Sequence, residues 1–235
     1  MIVYGRNPVY EALRGRREVK QVWATEAAVR ASDWLADAGP ALASAHEIEG
    51  ISGSADHQGV CAETGPYPYA EADSLLDDPD SLVVCLDEVQ DPQNLGAVCR
   101  VAESAGAAGV VIPQRRAAEV TPAACKASAG AVEHLPVARV RNLADWLADA
   151  KRRDAWVYGA ATGGVSYTEP DYRGRVVLVL GSEGRGLRPR VEAGCDALVS
   201  LPQRGRVGSL NVSAAAAALV YGILQLREVG VDRGP

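Results

Sequence analysis

From Leu82 onward, short apolar runs alternate with longer amphipathic stretches, and this rhythm restricts the fold more than any other feature of the chain. Leu82–Leu86, Gly109–Ile112, Val137–Val140, Ala155–Ala160, Val176–Leu180 and Ala197–Leu201 have strand length and are mostly apolar. Between and after them, Asn94–Gly106, Pro122–Ala129, Leu143–Arg152 and about Leu210–Glu228 read as helices, with Trp146 and Leu147 facing inward. Strands apolar on both faces and separated by helices predict a parallel sheet covered on both sides.

The first 66 residues have a different grain. Asn7-Pro8 reads as an N-cap and first helical residue, with the helix running to about Arg14 before Gly15. Val19–Ala24 and Val60–Glu63 predict strands, the second following His57-Gln58-Gly59. Ala27–Ala38 predicts a helix ended by Gly39-Pro40, and Ala41–Ile48 suits either state. The result is a small α/β module of about 65 residues, large enough to fold. Gly65-Pro-Tyr-Pro-Tyr69 and Asp77–Asp80 bracket a polar, Pro-rich stretch that reads as a linker. The expected organisation is thus a domain over residues 1–66, a linker over 67–80 and a second α/β domain over 81–235.

Composition removes several classes of function. A net charge of −6 argues against indiscriminate nucleic-acid binding, because phosphate contacts need Lys and Arg. The positive charge is local: Arg14, Arg16 and Arg17 cluster, as do Arg115 with Arg116, Lys151 with Arg152 and Arg153, and Arg185, Arg188, Arg190, Arg204 and Arg206. A solvent-facing surface and an RNA contact explain such clusters equally well; for Arg14–Arg17 the solvent-facing reading is preferred. The 5 cysteines are widely spaced and form no CxxC, and none of the 3 histidines stands at ligand spacing from a Cys, so no disulfide framework and no metal site are expected. No apolar leader begins the chain, and Val212–Leu224 is too short to cross a bilayer, which needs about 20 residues. A reduced, cytoplasmic protein without a membrane partner is expected.

Three polar stretches stand at strand-to-helix junctions, where an α/β protein builds its ligand site. In Asp91-Pro-Gln-Asn94-Leu-Gly-Ala-Val-Cys-Arg100, Asn94 would serve equally as a helix cap and Arg100 as half of a surface pair with Glu103 or Glu88. The functional alternative has both above the sheet edge, with Arg100 gripping a phosphate bidentately. Gly181-Ser-Glu183-Gly-Arg-Gly186 matches neither the dinucleotide nor the Walker glycine pattern. It is either a plain tight turn or a turn whose backbone approaches a ligand. Ser209-Leu-Asn211-Val-Ser213 opens the last helix; Ser209 alone would cap it, and Asn211 and Ser213 are more polar than a cap requires. His57 has no metal partner in sequence and reads first as a structural or surface residue.

Together the three stretches resemble the three motifs of the SpoU/TrmH family of RNA 2′-O-ribose methyltransferases, within the SPOUT class. The matching segments are Asp91–Arg100, Leu178–Leu187, and Leu201-Pro-Gln followed by Gly208–Ser213. Gly5-Arg-Asn-Pro-Val-Tyr-Glu-Ala-Leu13 and His57-Gln-Gly59 are similar to the L30e-like RNA-binding domain of the branch that methylates a guanosine of 23S ribosomal RNA. The resemblance implies a C-terminal SPOUT parallel-sheet domain with a deep trefoil knot, preceded by that small domain. It implies S-adenosyl-L-methionine (AdoMet) bound by main-chain groups around Ala161, Thr162, Gly181, Leu201, Leu210 and Ala214, and a homodimer joined through the C-terminal domains.

The same resemblance assigns catalysis to Arg100, Asn94, Glu183, Ser209 and Asn211. RNA contacts fall to Arg6, Asn7 and His57, with Arg204 and Arg206 added by their place in a basic loop. Ribosomal RNA is the expected substrate. A tRNA 2′-O-methyltransferase and a catalytically silent RNA-binding or ribosome-assembly protein are the rival readings. A nucleotide-dependent enzyme is disfavoured because no phosphate loop with Lys is present.

Overall fold

A computed structural model describes residues 1–206 and 208–232; Val207, within the basic loop, and residues 233–235, the end of the expected second domain, lie outside the described residues. The chain opens with β1 (Ile2–Tyr4), α1 (Arg6–Arg14), β2 (Val19–Ala24), α2 (Glu26–Arg30), α3 (Asp33–Asp37), β3 (Ala41–Leu42), α4 (Ala45–Ser52) and β4 (Val60–Thr64). They form a four-stranded sheet of order β1-β4-β2-β3, in which β4 runs antiparallel to both neighbours.

Local chemistry moves several expected boundaries here. Helix α1 starts before Asn7, which lies in the first turn and does not cap it. Gly5 (φ 95°) turns the chain in, and the Arg6 N–H is satisfied from afar by Gln58 Oε1 at 3.0 Å. The single helix expected over 27–38 is two, because Thr25 caps α2 and a new helix starts after Ser32. The undecided stretch 41–48 resolves into β3 and the start of α4, which opens on a reciprocal capping box between Ser44 and Glu47.

Residues 67–80 do not cross open solvent. Ala70 bridges Ala138, and a 3₁₀ turn at Ala72–Leu76 buries Leu75 and Leu76. Next come β5 (Leu82–Asp87), α5 (Pro92–Ser104), β6 (Gly109–Pro113), α6 (Pro122–Ala127), a 3₁₀ turn at Ala131–Glu133, β7 (Val137–Val140), α7 (Leu143–Arg152), β8 (Trp156–Ser166), β9 (Val176–Gly181), α8 (Pro189–Glu192), β10 (Ala197–Ser200) and α9 (Val212–Asp232). The six strands pair in parallel throughout, in the order β10-β8-β9-β5-β6-β7.

Every residue of β5 and all but the last of β9 are buried, as a sheet covered on both faces requires. Alternate side chains part to opposite faces. Val84, Leu86, Leu178 and Leu180 join the layer built from α5 and α9, while Val83, Cys85, Val177 and Val179 meet α7, α8 and the 72–76 turn. Each such side chain contributes roughly 1.5–3 kcal/mol by leaving water.

Helix α5 places the first polar stretch. Asp91, not Asn94, is its N-cap: Asp91 Oδ1 accepts from the Gln93 N–H at 2.9 Å, with Pro92 as the first helical residue. Asn94 is thereby free for other work. One turn in, Gly96 lies against α6, where a Cβ would come within 2.5–2.9 Å of Ala124 O, Ala127 Cβ and Ser128 N. Gly96→Ala is therefore expected to force α5 and α6 apart and to cost about 1–3 kcal/mol by overpacking, measured as a fall in thermal midpoint.

Candidate active site

The register brings the strand ends level. Asp87 on β5 lies opposite Gly181 on β9, and Ala160 on β8 lies opposite Leu180. Strand β8 is longer than the run 155–160 suggested, and it leaves its pairing with β10 midway: Gly159 partners Leu198, but Val165 partners the next residue, Val199. Ala161 and Thr162 sit in the extra length that this irregularity releases. At these ends opens a cavity of about 410 Å³, lined by 160–162, 180–186, 199–201 and part of the 203–219 segment. That volume is in the range of small-molecule sites, about 300–1,000 Å³.

Of the expected cofactor residues, Ala161, Thr162, Gly181, Leu201 and Leu210 line this cavity. Ala214 does not; Ala215 stands in the wall, since one residue rotates a helical side chain by about 100°. The turn 181–186 is closed by paired backbone bonds between Ser182 and Gly186 at 2.9 and 3.2 Å. It folds back so tightly that a Cβ on Gly181 would collide with the Gly186 backbone, so only glycine fits there.

A side-chain triangle joins the three polar stretches across 28 to 117 residues of sequence. Asn211 Nδ2 donates to Glu183 Oε1 at 2.7 Å and to Asn94 Oδ1 at 3.0 Å, and Asn94 Nδ2 donates to Glu183 Oε1 at 3.1 Å. Asn211 also caps α9: its Oδ1 accepts from the Ser213 N–H at 2.8 Å and from the Ser213 hydroxyl at 2.5 Å. The cap expected at Ser209 is thus Asn211. Ser209 lines the cavity instead and makes no side-chain hydrogen bond among the described residues. Asn211 divides its amide, the oxygen fixing the helix start and the nitrogen reaching the carboxylate.

Arg100 is not brought to the triangle. It is exposed, lines neither this cavity nor the polar pocket next to it, and makes no hydrogen bond or ion pair among the described residues. The pairing with Glu103 or Glu88 considered from sequence does not form, because Glu88 faces Arg116 and Arg188, each at 3.5 Å. Six residues separate Arg100 from Asn94, which puts the two on different helix faces. The adjacent pocket, about 280 Å³, is lined by Glu88–Asp91, Asn94, Ser182, Glu183, Arg185 and Val212, so Asn94 and Glu183 face it.

Sequence reasoning missed the clamp beneath the turn. Asp87, fully buried at the end of β5, accepts from the Arg188 N–H at 2.8 Å and from Arg188 Nε at 2.7 Å. An acidic residue closing an otherwise apolar strand was the available signal. Of the expected RNA contacts, Arg6, Asn7, Arg204 and Arg206 are exposed. His57 is buried, and its Nδ1 accepts from the Gly59 N–H at 2.9 Å, which fixes a turn.

Comparison with known proteins agrees with this architecture. Residues 81–221 match the SpoU rRNA methylase family, and residues 2–70 match the RNA 2′-O ribose methyltransferase substrate-binding domain. An uncharacterized tRNA/rRNA methyltransferase of Synechocystis is 37% identical over 99% of this chain, which spans 64% of that protein's length. A Bacillus subtilis protein named for the TrmH family of tRNA/rRNA methyltransferases is 38% identical over 96% of this chain and 95% of its own. The structure of the SpoU methyltransferase AviRb from Streptomyces viridochromogenes, in complex with AdoMet, superposes with a TM-score of 0.82 at 25% identity, covering 97% of this chain and 90% of that one. The chain belongs to the SpoU family of RNA 2′-O-ribose methyltransferases.

Proposed function

We propose that the chain methylates the ribose 2′-hydroxyl of a guanosine in structured RNA, with 23S ribosomal RNA as the target and AdoMet as methyl donor. The observation that carries this reading is the Asn94–Glu183–Asn211 triangle at the rim of the strand-end cavity. The cavity suits AdoMet. Leu180, Val199, Val212 and Leu219 offer an apolar wall for an adenine, turn backbone offers main-chain groups, and Glu183 supplies a carboxylate complementary to a sulfonium. We assign cofactor contacts to Ala161, Thr162, Gly181, Leu201 and Leu210, and with them a trefoil knot in the C-terminal segment.

AdoMet, when bound, supplies an electrophilic methyl group. The protein's task is to hold the 2′-oxygen in line with it and to stabilise the charge that grows on that oxygen, alignment alone being worth up to roughly 7–11 kcal/mol in well-oriented systems. Arg100 is too basic to take the proton itself. We assign it to clamp an RNA phosphate and stabilise the developing alkoxide, with that phosphate able to relay the proton. Its position outside its own chain's cavity supports action on the site of a partner subunit. Tyr221 on α9, 49% exposed and outside the cavity, supports pairing through the C-terminal region. Among the described residues no helix is long and apolar enough to cross a membrane.

Asp87→Asn is expected to loosen the 181–188 turn and weaken AdoMet about tenfold in calorimetry, as loss of a charge-assisted hydrogen bond of roughly 1.5–3 kcal/mol implies. The function itself is tested by mapping 2′-O-methyl groups in cellular RNA with and without the protein, together with AdoMet titration. One lost guanosine mark in 23S rRNA is expected. A lost mark in tRNA moves the target, and absence of AdoMet binding overturns the reading.

A further inference from the structure

The N-terminal sheet is fixed to the catalytic domain by a buried ion pair that the sequence hid in a basic cluster expected to face solvent. Arg17 follows α1, yet its side chain and that of Glu133, the last residue of the 131–133 turn, are each only 1% exposed. Arg17 Nε donates to Glu133 Oε2 at 2.9 Å, a second bond links Arg17 Nη2 to Glu133 Oε1, and Arg17 Nη1 donates to Thr64 Oγ1 at 3.0 Å. Burial alone would lower the Arg17 pKa, but the bond and charge of Glu133 raise it on balance. Around this pair, the Tyr67 hydroxyl lies 3.0 and 3.1 Å from the carbonyls of Val132 and Leu135, Arg16 Nη2 donates to His134 O at 2.9 Å, and Lys126 Nζ donates to Asp56 O at 2.9 Å. The apolar core is continuous through the joint, from Val3, Val9 and Ala62 to Cys125, Val132 and Leu135.

Two desolvated charges are poor value as stabilisers, since an apolar pair of similar volume usually serves as well; what the ion pair supplies is a defined geometry. The geometry leads to the site. Lys126 lies in α6 and Glu133 in the turn that follows it, and α6 packs against α5 at Gly96, two residues after Asn94. The expected RNA contacts Arg6 and Asn7 begin α1, and Lys126 Nζ lies beside Gly5, the residue just before them.

We infer that Arg17 and Glu133 are a positioning pair that holds the RNA-binding sheet at a fixed distance and angle from α5, making it a ruler that selects which ribose reaches the Asn94–Glu183–Asn211 site. The inference rests on the RNA methyltransferase reading. A docked reader presents one span to the RNA, whereas a reader held only by the short stretch of chain before Ala70 samples more.

The test uses the full chain and compares the wild type with Arg17→Met and with the double variant Arg17→Met/Glu133→Leu. Arg17→Met leaves a buried carboxylate unpaired and is expected to loosen the joint, which the apolar core and the Tyr67, Arg16 and Lys126 bonds still hold together. Its KM for RNA is expected to rise about tenfold and its methyl marks to spread to neighbouring nucleotides, as loss of a fixed geometry implies. AdoMet affinity should stay within about twofold, because the cavity is untouched, and the apolar pair should restore both readouts. Should Arg17→Met not fold, Tyr67→Phe combined with Lys126→Ala weakens the same joint without stranding a charge and should move both readouts in the same direction. RNA KM and mark positions unchanged in a folded variant, or AdoMet affinity falling as far as RNA KM rises, would overturn the ruler. Failure of the wild type to methylate any RNA would instead remove the function on which it rests.

Discussion

Replacing Arg100 with alanine is expected to lower methyl transfer to RNA by about 10²–10³-fold, the usual cost of removing a donor aimed at developing negative charge. AdoMet affinity and the thermal midpoint should barely move, because Arg100 is exposed and bonded to nothing among the described residues. Single-turnover transfer to RNA transcripts and calorimetric AdoMet titration separate the two effects. Transfer surviving within tenfold in a folded variant would remove Arg100 from the mechanism. Arg100→Lys discriminates further: a lysine keeps the charge but not the fork that grips a phosphate bidentately, so most of the loss should persist. Where Arg100 serves the partner's site, mixing Arg100→Ala chains with chains broken at Asn211 should revive activity. Random reassortment in a two-fold dimer leaves about a quarter of the sites intact.

The second large effect is expected at Asn211. Asn211→Asp keeps the oxygen that caps α9 but sets a carboxylate where an amide nitrogen now donates to Glu183 at 2.7 Å. Two carboxylates at that distance cannot both stay ionised, so one pKa of the pair rises and the triangle opens at neutral pH. Activity should fall about tenfold or more, since the charge-assisted bond of roughly 1.5–3 kcal/mol is solvent-exposed and part of its worth is screened. The sign with pH is set by the proton: below the raised pKa the pair shares one proton and the triangle re-forms. The variant should therefore recover relative to wild type as pH falls, and a pH–rate profile reads this directly. Asn211→Ser, which keeps a capping oxygen and introduces no charge, should show a smaller loss with no such recovery. A profile for Asn211→Asp parallel to wild type would show that the triangle does not matter to turnover.

Legibility in the sequence followed the range of the forces involved. Leu82–Leu86, Val137–Val140, Leu143–Arg152 and Val176–Leu180 fell in place or within a residue, because burial on both faces writes itself into consecutive residues. Caps were misplaced by a few residues at Asn7, Asn94 and Ser209, since each chain entrance offers several polar residues and the choice depends on distant partners such as Gln58 and Glu183. The strand β8 was cut short because its extra length is held by pairing with β10, as in Val165 with Val199 and Ser166 with Ser200.

By itself, then, the sequence determined the alternating α/β order, the buried central strands and the three polar stretches that mark the family, all products of local periodicity and short-range spacing. Only the tertiary structure decided how those stretches meet. It made Asn211 at once a helix cap and a partner of Glu183, left Arg100 outside its own chain's cavity, and turned Arg17 inward onto Glu133. The physical reason is the same in each case: a long side chain's environment is set by whichever segment packs beside it, and here that segment lies 28 to 117 residues away.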